Sequence, residues 1–339
     1  MPSRTRKWWI VRVRNAIARG ELLESFRGFE EELCDGAVRS LDVDQFADCD
    51  EWIGWLRWAS VSLDESDYLK AALYALRLAP SLAATDYGTA RQRDLGQLWT
   101  DAIRGLLGEL AFAKWLQQRF GLSVELDFRL GRLEEFLPSD VKSVSGREPR
   151  LKISVKTTKL GGVWLDVPHA QIEHSDVFVL VRVGVRREHF VAFLKEISVI
   201  RDKLMKEALE RGLLSERELE EVWSAVPEFT PIPAYVAGFL DKAEHADKLE
   251  SRLSIIEADG EVKIKRVVIN RYLGVWHPGE PRYEEALKSL LRSRGRGVRD
   301  DMKIEFEGIG NFSGALRFIA SSGVLKKKRE EWEELLRRL

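Results

Sequence analysis

Two short stretches decide the reading of this chain: Pro138-Ser139-Asp140-Val141-Lys142-Ser143-Val144 and, seven residues on, Leu151-Lys152-Ile153-Ser154-Val155-Lys156-Thr157-Thr158. The first places an acid between a turn and a β-type run. The second alternates as a half-buried strand does, with Ser154 and Lys156 on one face and Ile153 and Val155 on the other. Two neighbouring strands in this order aim a carboxylate and an amine at one point. Upstream, Leu95, Leu98, Trp99, Ile103, Leu106, Leu107, Leu110 and Phe112 form an apolar stripe that predicts a helix over roughly Thr89 to Phe120, ended by Gly121, with Glu109 inside it.

Working outward, the Asp50–Ser60 and Asp67–Leu78 stretches carry apolar residues at helical spacing, so residues 1–95 read as a mostly helical unit. After the long helix come β-type runs at Leu122–Phe128, Asp140–Val144, Leu151–Thr158, Val163–Val167, Val177–Val185 and Phe190–Leu194. Glu196–Ser224 reads as a charge-laced helix or helix pair broken near Gly212, and Pro227–Pro233 as a linker. Beyond it the pattern predicts a helix near Ala234–Lys248, strands near Leu253–Glu257 and Val262–Ile269 turning at Asp259-Gly260, a helix near Tyr283–Arg292 and a last helix near Lys327–Leu339. The division expected is a helical region at 1–95, an α/β core at 96–195 and a mixed extension at 196–339.

Composition narrows the possibilities. The 339 residues hold 54 basic and 55 acidic side chains, a net charge of −1, so any binding of nucleic acid must come from local patches. Three basic segments offer them: Arg4 to Arg14, interleaved with Trp8 and Trp9; the glycine-arginine run Arg292, Arg294, Arg296, Arg299; and Lys326 to Arg329. Arginines on a glycine-bearing loop suit a DNA groove, because the guanidinium reads guanine bidentately. Cys34 and Cys49 lack zinc-site spacing, and no apolar run reaches the ~18 residues of a membrane span, which gives the expectation of a soluble, cytoplasmic protein. Abundant Arg, Lys and Glu beside only 2 Cys and 3 Met resemble a thermophile's composition. The five histidines, His169, His174, His189, His245 and His277, form no recognisable metalloprotease or HNH pattern, and the tryptophans at 52, 55 and 58 are best read as helix core.

From Gly105-Leu106-Leu107-Gly108-Glu109 through Pro138-Ser139-Asp140 and Ser154-Val155-Lys156 to the Gln171–Asp176 segment, the chain resembles the PD-(D/E)XK nuclease superfamily, in particular type II restriction endonucleases. The resemblance covers a quarter to a third of the chain. It implies an α/β fold with a mixed β-sheet flanked by helices, and Mg²⁺-dependent hydrolysis of phosphodiester bonds in double-stranded DNA. It further implies a homodimer, whose two-fold symmetry suits a palindromic site, and a cognate DNA methyltransferase. Asp140 would be the principal metal ligand, the Val155 carbonyl a second, and Lys156 the group that orients water and stabilises charge. One departure stands out: the family's second acid, two residues before the lysine, is Ser154 here. Glu109 is the carboxylate expected to replace it, with Glu125, Asp127 and Asp166 as alternatives and Ser154 contributing a hydroxyl. Thr157, Thr158 and Lys159 would contact backbone phosphate, and Gln171 would sit near the active centre. A structure-specific or repair nuclease and a non-catalytic DNA-binding protein are the competing readings.

Overall fold

The computed structural model describes residues 6–86, 95–128, 139–245, 248, 253–310, 312 and 316–339. The chain folds as a mixed α/β protein. At its centre is β6 (Val177–Val183), apolar except for Arg182 and buried at every position, as a strand covered on both faces must be. It lies in a four-stranded mixed sheet of order β1 (Ser60–Leu63), β7 (Ile232–Asp241), β6, β4 (Ile153–Lys159). The β4–β6 pair is parallel and the other two are antiparallel. This sheet takes β1 from the helical N-terminal region and β7 from beyond residue 195.

The two faces of the sheet are covered differently. Against one lie α4 (Glu65–Asp86) and α5 (Leu95–Phe120), where Leu107, Ala111 and Trp115 pack on Ile153, Val155, Val177 and Val179. Against the other lie α1 (Arg6–Ala18), α2 (Glu30–Arg39), α3 (Cys49–Ala59) and a second sheet, which share a core with Phe178 and Leu180. The tryptophans of α3 belong to this core as expected, with Trp52 fully buried.

The second sheet is β10 (Lys303–Phe306), β9 (Arg266–Trp276), β11 (Arg317–Ser321), β5 (Trp164–Pro168), with β8 (Ile255–Val262) on the other edge of β9. α10 (Pro281–Ser293) backs it through Tyr283, Leu287 and Leu291. Because β5 lies on the connection from β4 to β6, the second sheet is tethered within eight residues of the strand that carries Lys156. α11 (Arg329–Leu336) returns to the first core, its Trp332 ring 4.8 Å from that of Trp115.

Several expectations are corrected. Ala234–Lys248 is not a helix: Ile232–Asp241 is a central strand with all ten residues buried, so its uninterrupted apolar run carried no period to read. The Pro227–Pro233 linker accordingly ends inside the sheet. Phe190–Leu194 lies in α7 (Arg187–Glu196), not in a strand. Asp259-Gly260 is no turn but part of β8, and the chain reverses at 263–265 instead. The break near Gly212 is present, between α8 (Lys206–Glu210) and α9 (Glu216–Ala225), with Gly212 at φ 64°. Gly121 ends α5 in the left-handed conformation, φ 68°, as its position predicted; the first residues of that predicted helix, 89–94, lie outside the described residues, as do Arg4 and Pro138.

Candidate active site

The open edge of β4 builds the site. Toward β6 it is paired along its length; on its other side the Ser139–Asp140 segment is stitched to it. Asp140 N–H donates to Ile153 O (2.8 Å) and Ile153 N–H to Ser139 Oγ (3.2 Å), while Ser139 Oγ–H donates to Val141 O (2.7 Å). Next along β4, Val155 N–H donates to Asp140 Oδ2 (2.6 Å). Ile153 and Val155 thus turn their backbone polar groups away from β6. A strand residue's N–H and C=O point to the same side, so the Val155 carbonyl opens onto the edge where Asp140 stands. After Asp140 the chain leaves β4 and forms β3 (Val141–Val144), which pairs instead with β2 (Val124–Leu126).

Glu109 reaches this edge from α5, which lies closer to β4 than two ordinary side chains allow. A Cβ at Gly108 would sit 1.8 Å from Thr157 Oγ1. That hydroxyl instead donates to Gly105 O (3.0 Å). Gly108 and the Gly105 carbonyl therefore dock the helix on the strand and set Glu109, the residue after Gly108, within the field of Asp140 and Lys156. Thr157, expected to contact phosphate, has its one hydroxyl proton committed to this lock. Thr158 is likewise half-covered, because a Cβ on Gly162 would meet its Oγ1 at 2.1 Å. Lys159 is exposed at the strand end.

The electrostatics couple the charges of Glu109, Asp140 and Lys156. Glu109 is raised well above the usual carboxylate range, first by burial and then by the negative charge of Asp140, against the pull of Lys156. Asp140 is raised by burial too, offset by Lys156, by the Val155 N–H and by the Ser154 hydroxyl. Asp127, at the end of β2, adds negative potential to both, and its N–H donates to Asp140 O (2.9 Å). Of the three alternative donors, Asp127 thus acts on both acids, while the other two are engaged elsewhere, Glu125 with Lys142 (2.6 Å) and Asp166 with Arg317 (2.6 Å). Ser154 is buried on the Lys156 side of β4 and serves Asp140 as a hydrogen-bond donor.

Among the described residues, no three Asp, Glu, His or Cys side chains are gathered tightly enough to cage an ion by themselves. Mg²⁺ does not require that. It keeps several waters and is commonly held by one or two carboxylates with the substrate's phosphate completing the shell. Glu109, Asp140 and the Val155 carbonyl are all-oxygen donors of this kind, and two like charges raised by burial are what a divalent cation relieves.

The basic segments are largely self-satisfied. Arg296 forms a two-pronged pair with Asp259, Arg292 pairs with Asp300 and donates to Val298 O, Arg299 pairs with Asp301, and Arg294 donates to Ala258 O. These contacts tie the 292–299 run to β8 and to its own loop. Arg6 pairs with Asp35 and Glu31, Arg12 with Asp50, and Lys326 with Glu244. Lys327 is buried entirely: with Arg182 it flanks Asp42, whose carboxylate also accepts from Ser322 (3.0 Å). Gln171 lies on α6 (His169–Ile172), the short helix after β5, its buried Oε1 without a hydrogen-bond partner among the described residues.

No family model, no curated protein and no solved structure matches this chain. Its own geometry carries the functional argument. Among the described residues no helix is long and apolar enough to cross a membrane.

Proposed function

We propose that this protein is a Mg²⁺-dependent endodeoxyribonuclease of the restriction type, cutting double-stranded DNA at a short specific sequence on a PD-(D/E)XK-like core. One observation carries the reading: Asp140 is anchored to the β4 edge by Val155 N–H at 2.6 Å, with Glu109 and Lys156 within reach of its charge. The order of elements supports it, since a helix bearing an acid precedes an acid entering a strand, a lysine-bearing strand and a parallel apolar strand.

The residues divide the work. Asp140, Glu109 and the Val155 carbonyl would hold the ion, which when bound polarises the scissile phosphate and favours hydroxide over water. Lys156, a point-charge donor, orients the attacking water and offsets charge building on the phosphate oxygens. Ser154 orients Asp140 and favours its charged form against the burial that raises it. Glu109 supplies the negative charge that the Ser154 position lacks. Flanking regions would supply sequence recognition and the dimer contacts that allow both strands to be cut, and a companion methyltransferase would protect host DNA.

The test is digestion of unmethylated plasmid and phage DNA by wild type, Lys156→Ala and Glu109→Gln, in Mg²⁺ or EDTA. Discrete fragments from wild type in Mg²⁺ alone, lost in both variants, are expected. A wild type that binds DNA without cutting under any divalent metal would replace this reading with a non-catalytic DNA-binding protein, and preference for branched or flapped DNA would replace it with a repair nuclease.

A further inference from the structure

The hairpin of β8 and β9 ends in a bare apolar side chain. Ile264, at the turn, is 85% exposed, more than any other large hydrophobic among the described residues. We propose that this tip is a wedge for duplex DNA, with Ile264 entering a base step from the minor groove while Lys263, Lys265 and Lys303 hold the flanking phosphates; the inference rests on the nuclease reading above for its partner.

The turn is built against local preference and then held still. Lys263 N–H donates to Arg266 O (2.8 Å), so Ile264 and Lys265 make the reversal, where a two-residue hairpin loop favours Asn, Asp or Gly. Both turn carbonyls are pinned from the body of the second sheet: Arg299 Nη2 donates to Ile264 O (3.0 Å) and Lys303 N–H to Lys265 O (3.1 Å). β10 runs beside β9 from Lys303↔Arg266 to Phe306↔Ile269, and β8 flanks the other edge. Single exposed hydrophobics are commonplace. One fixed at the end of a three-stranded prong, in a turn whose chemistry disfavours it, is placed to enter a partner.

The surrounding charge selects the partner. Lys263 pairs with Glu261 (3.4 Å), Arg266 with Glu305 (2.8 Å) and Arg299 with Asp301 (3.0 Å), whereas Lys265 and Lys303 have no ion pair among the described residues. Uncommitted lysines beside hydrocarbon match a polyanion with an apolar interior, and duplex DNA is one: phosphates outside, stacked base faces within. The two arginine forks are engaged by acids, so the tip is not built to read base edges by bidentate hydrogen bonds. Isoleucine is among the side chains that part base steps from the minor groove and kink the duplex, an act that selects steps by how easily they open. Position agrees with this role. Leu273 is level with Ala320 of β11 and, through it, with Leu165 of β5. Ile264 stands nine residues before Leu273, roughly 30 Å along the strand, a length that duplex DNA covers in about one turn.

The experiment reads deformation apart from cleavage. The full chain in EDTA is bound to closed circular plasmid, a metal-independent topoisomerase relaxes the complex, and the change in linking number is measured for wild type and Ile264→Ala. Affinity for a short random-sequence duplex is measured at several salt concentrations for both and for Lys265→Ala and Lys303→Ala. Wild type should change the linking number, and Ile264→Ala should abolish that change with affinity kept within about threefold. Each lysine variant should weaken binding across sequences and reduce the salt slope by about 1. Absence of DNA binding, binding with no change in linking number, a wild-type change in Ile264→Ala, or unaltered salt slopes in both lysine variants would overturn the proposal. Ile264-dependent binding to phosphatidylglycerol vesicles without any effect on plasmid would replace DNA with an anionic membrane. Digestion in Mg²⁺ on the same preparations separates the two ideas: cleavage with no Ile264-dependent unwinding sinks the wedge alone, whereas Ile264-dependent unwinding without cleavage under any divalent metal sinks the nuclease reading and leaves a DNA-deforming protein.

Discussion

Two glycines one helical turn apart in α5 should respond to alanine with opposite signs. At Gly108 the new Cβ would lie 1.8 Å from Thr157 Oγ1 and 2.8 Å from both its Cβ and Cγ2. Thr157 is β-branched and stiff at χ1, and its hydroxyl is tethered to Gly105 O, so it cannot step aside freely. Overpacking of this kind costs about 1–3 kcal/mol, and loss of the hydrogen bond about 1 kcal/mol. Alanine's advantage over glycine within a helix returns about 1 kcal/mol. The net is a loss of about 2 kcal/mol for Gly108→Ala. At Gly105 a Cβ meets nothing within 4 Å, so only the propensity term remains and Gly105→Ala should gain up to about 1 kcal/mol. Urea unfolding of both variants reads the difference of roughly 3 kcal/mol between them. Function should follow for Gly108→Ala, because lifting α5 off β4 moves Glu109: a displacement of about 1 Å can cost on the order of a hundredfold in rate. Equal stability changes in the two variants, or a Gly108→Ala protein as stable as wild type, would refute the close docking of α5 on Thr157 and with it the placement of Glu109.

Two further outcomes test the buried charges. Because Glu109 titrates above the usual carboxylate range in the fold, its contribution to stability is present below the unfolded-state value and is lost as pH rises through the folded one. Glu109→Gln should therefore melt higher than wild type at pH 8 in EDTA, with the gap closing as pH falls toward the usual carboxylate range; added Mg²⁺ should raise the melting temperature of wild type and not of the variant. A variant that melts below wild type at pH 8 would contradict the assigned burial. At the other buried cluster, Asp42 is charged against Lys327 and Arg182, which together outweigh the burial that would raise it, so it titrates below the usual range. Its stabilisation is present above the unfolded carboxylate value and disappears as pH falls through the folded one. Asp42→Asn leaves two buried cations without their counter-ion and should cost about 3–5 kcal/mol at neutral pH, measured by denaturant unfolding; a loss under about 1 kcal/mol would mean that the hydroxyls of Ser322 and Tyr235, which also accept from Arg182, suffice.

What could be read from the sequence follows the physics of each segment. The places of Ser154 and Lys156 on one face of β4 were legible because strand alternation ties position to face, and the place of Glu109 on α5 because it lies within an apolar helical stripe. The docking of α5 on β4 was not read, although its signal was present: Gly108, inside an otherwise strong helix, costs stability unless something approaches closely. β7 was misread because Ala234 to Leu240 is small or apolar at every position, which serves a doubly covered strand as well as a buried helix. The arginines at 292–299 show a different limit. Composition marks them as free charge, yet Asp300 and Asp301 are their sequence neighbours and Asp259 is brought to Arg296 by β8.

The serine two residues before Lys156 is where local and tertiary information part. In isolation Ser154 removes a ligand and argues for a dead site. In the fold it is a buried donor to Asp140, while Glu109 is set against the same edge by a glycine docking contact and is raised well above its usual range, first by burial and then by the charge of Asp140. A protein with no use for a cation would gain stability by replacing either carboxylate with an amide, since burying like charges without a counter-ion is costly. The chain instead gives up helix propensity at Gly108 to bring Glu109 there, within the field of the Asp140 carboxylate. Two buried carboxylates that repel one another are the physical reason for the proposal of a divalent cation at this edge.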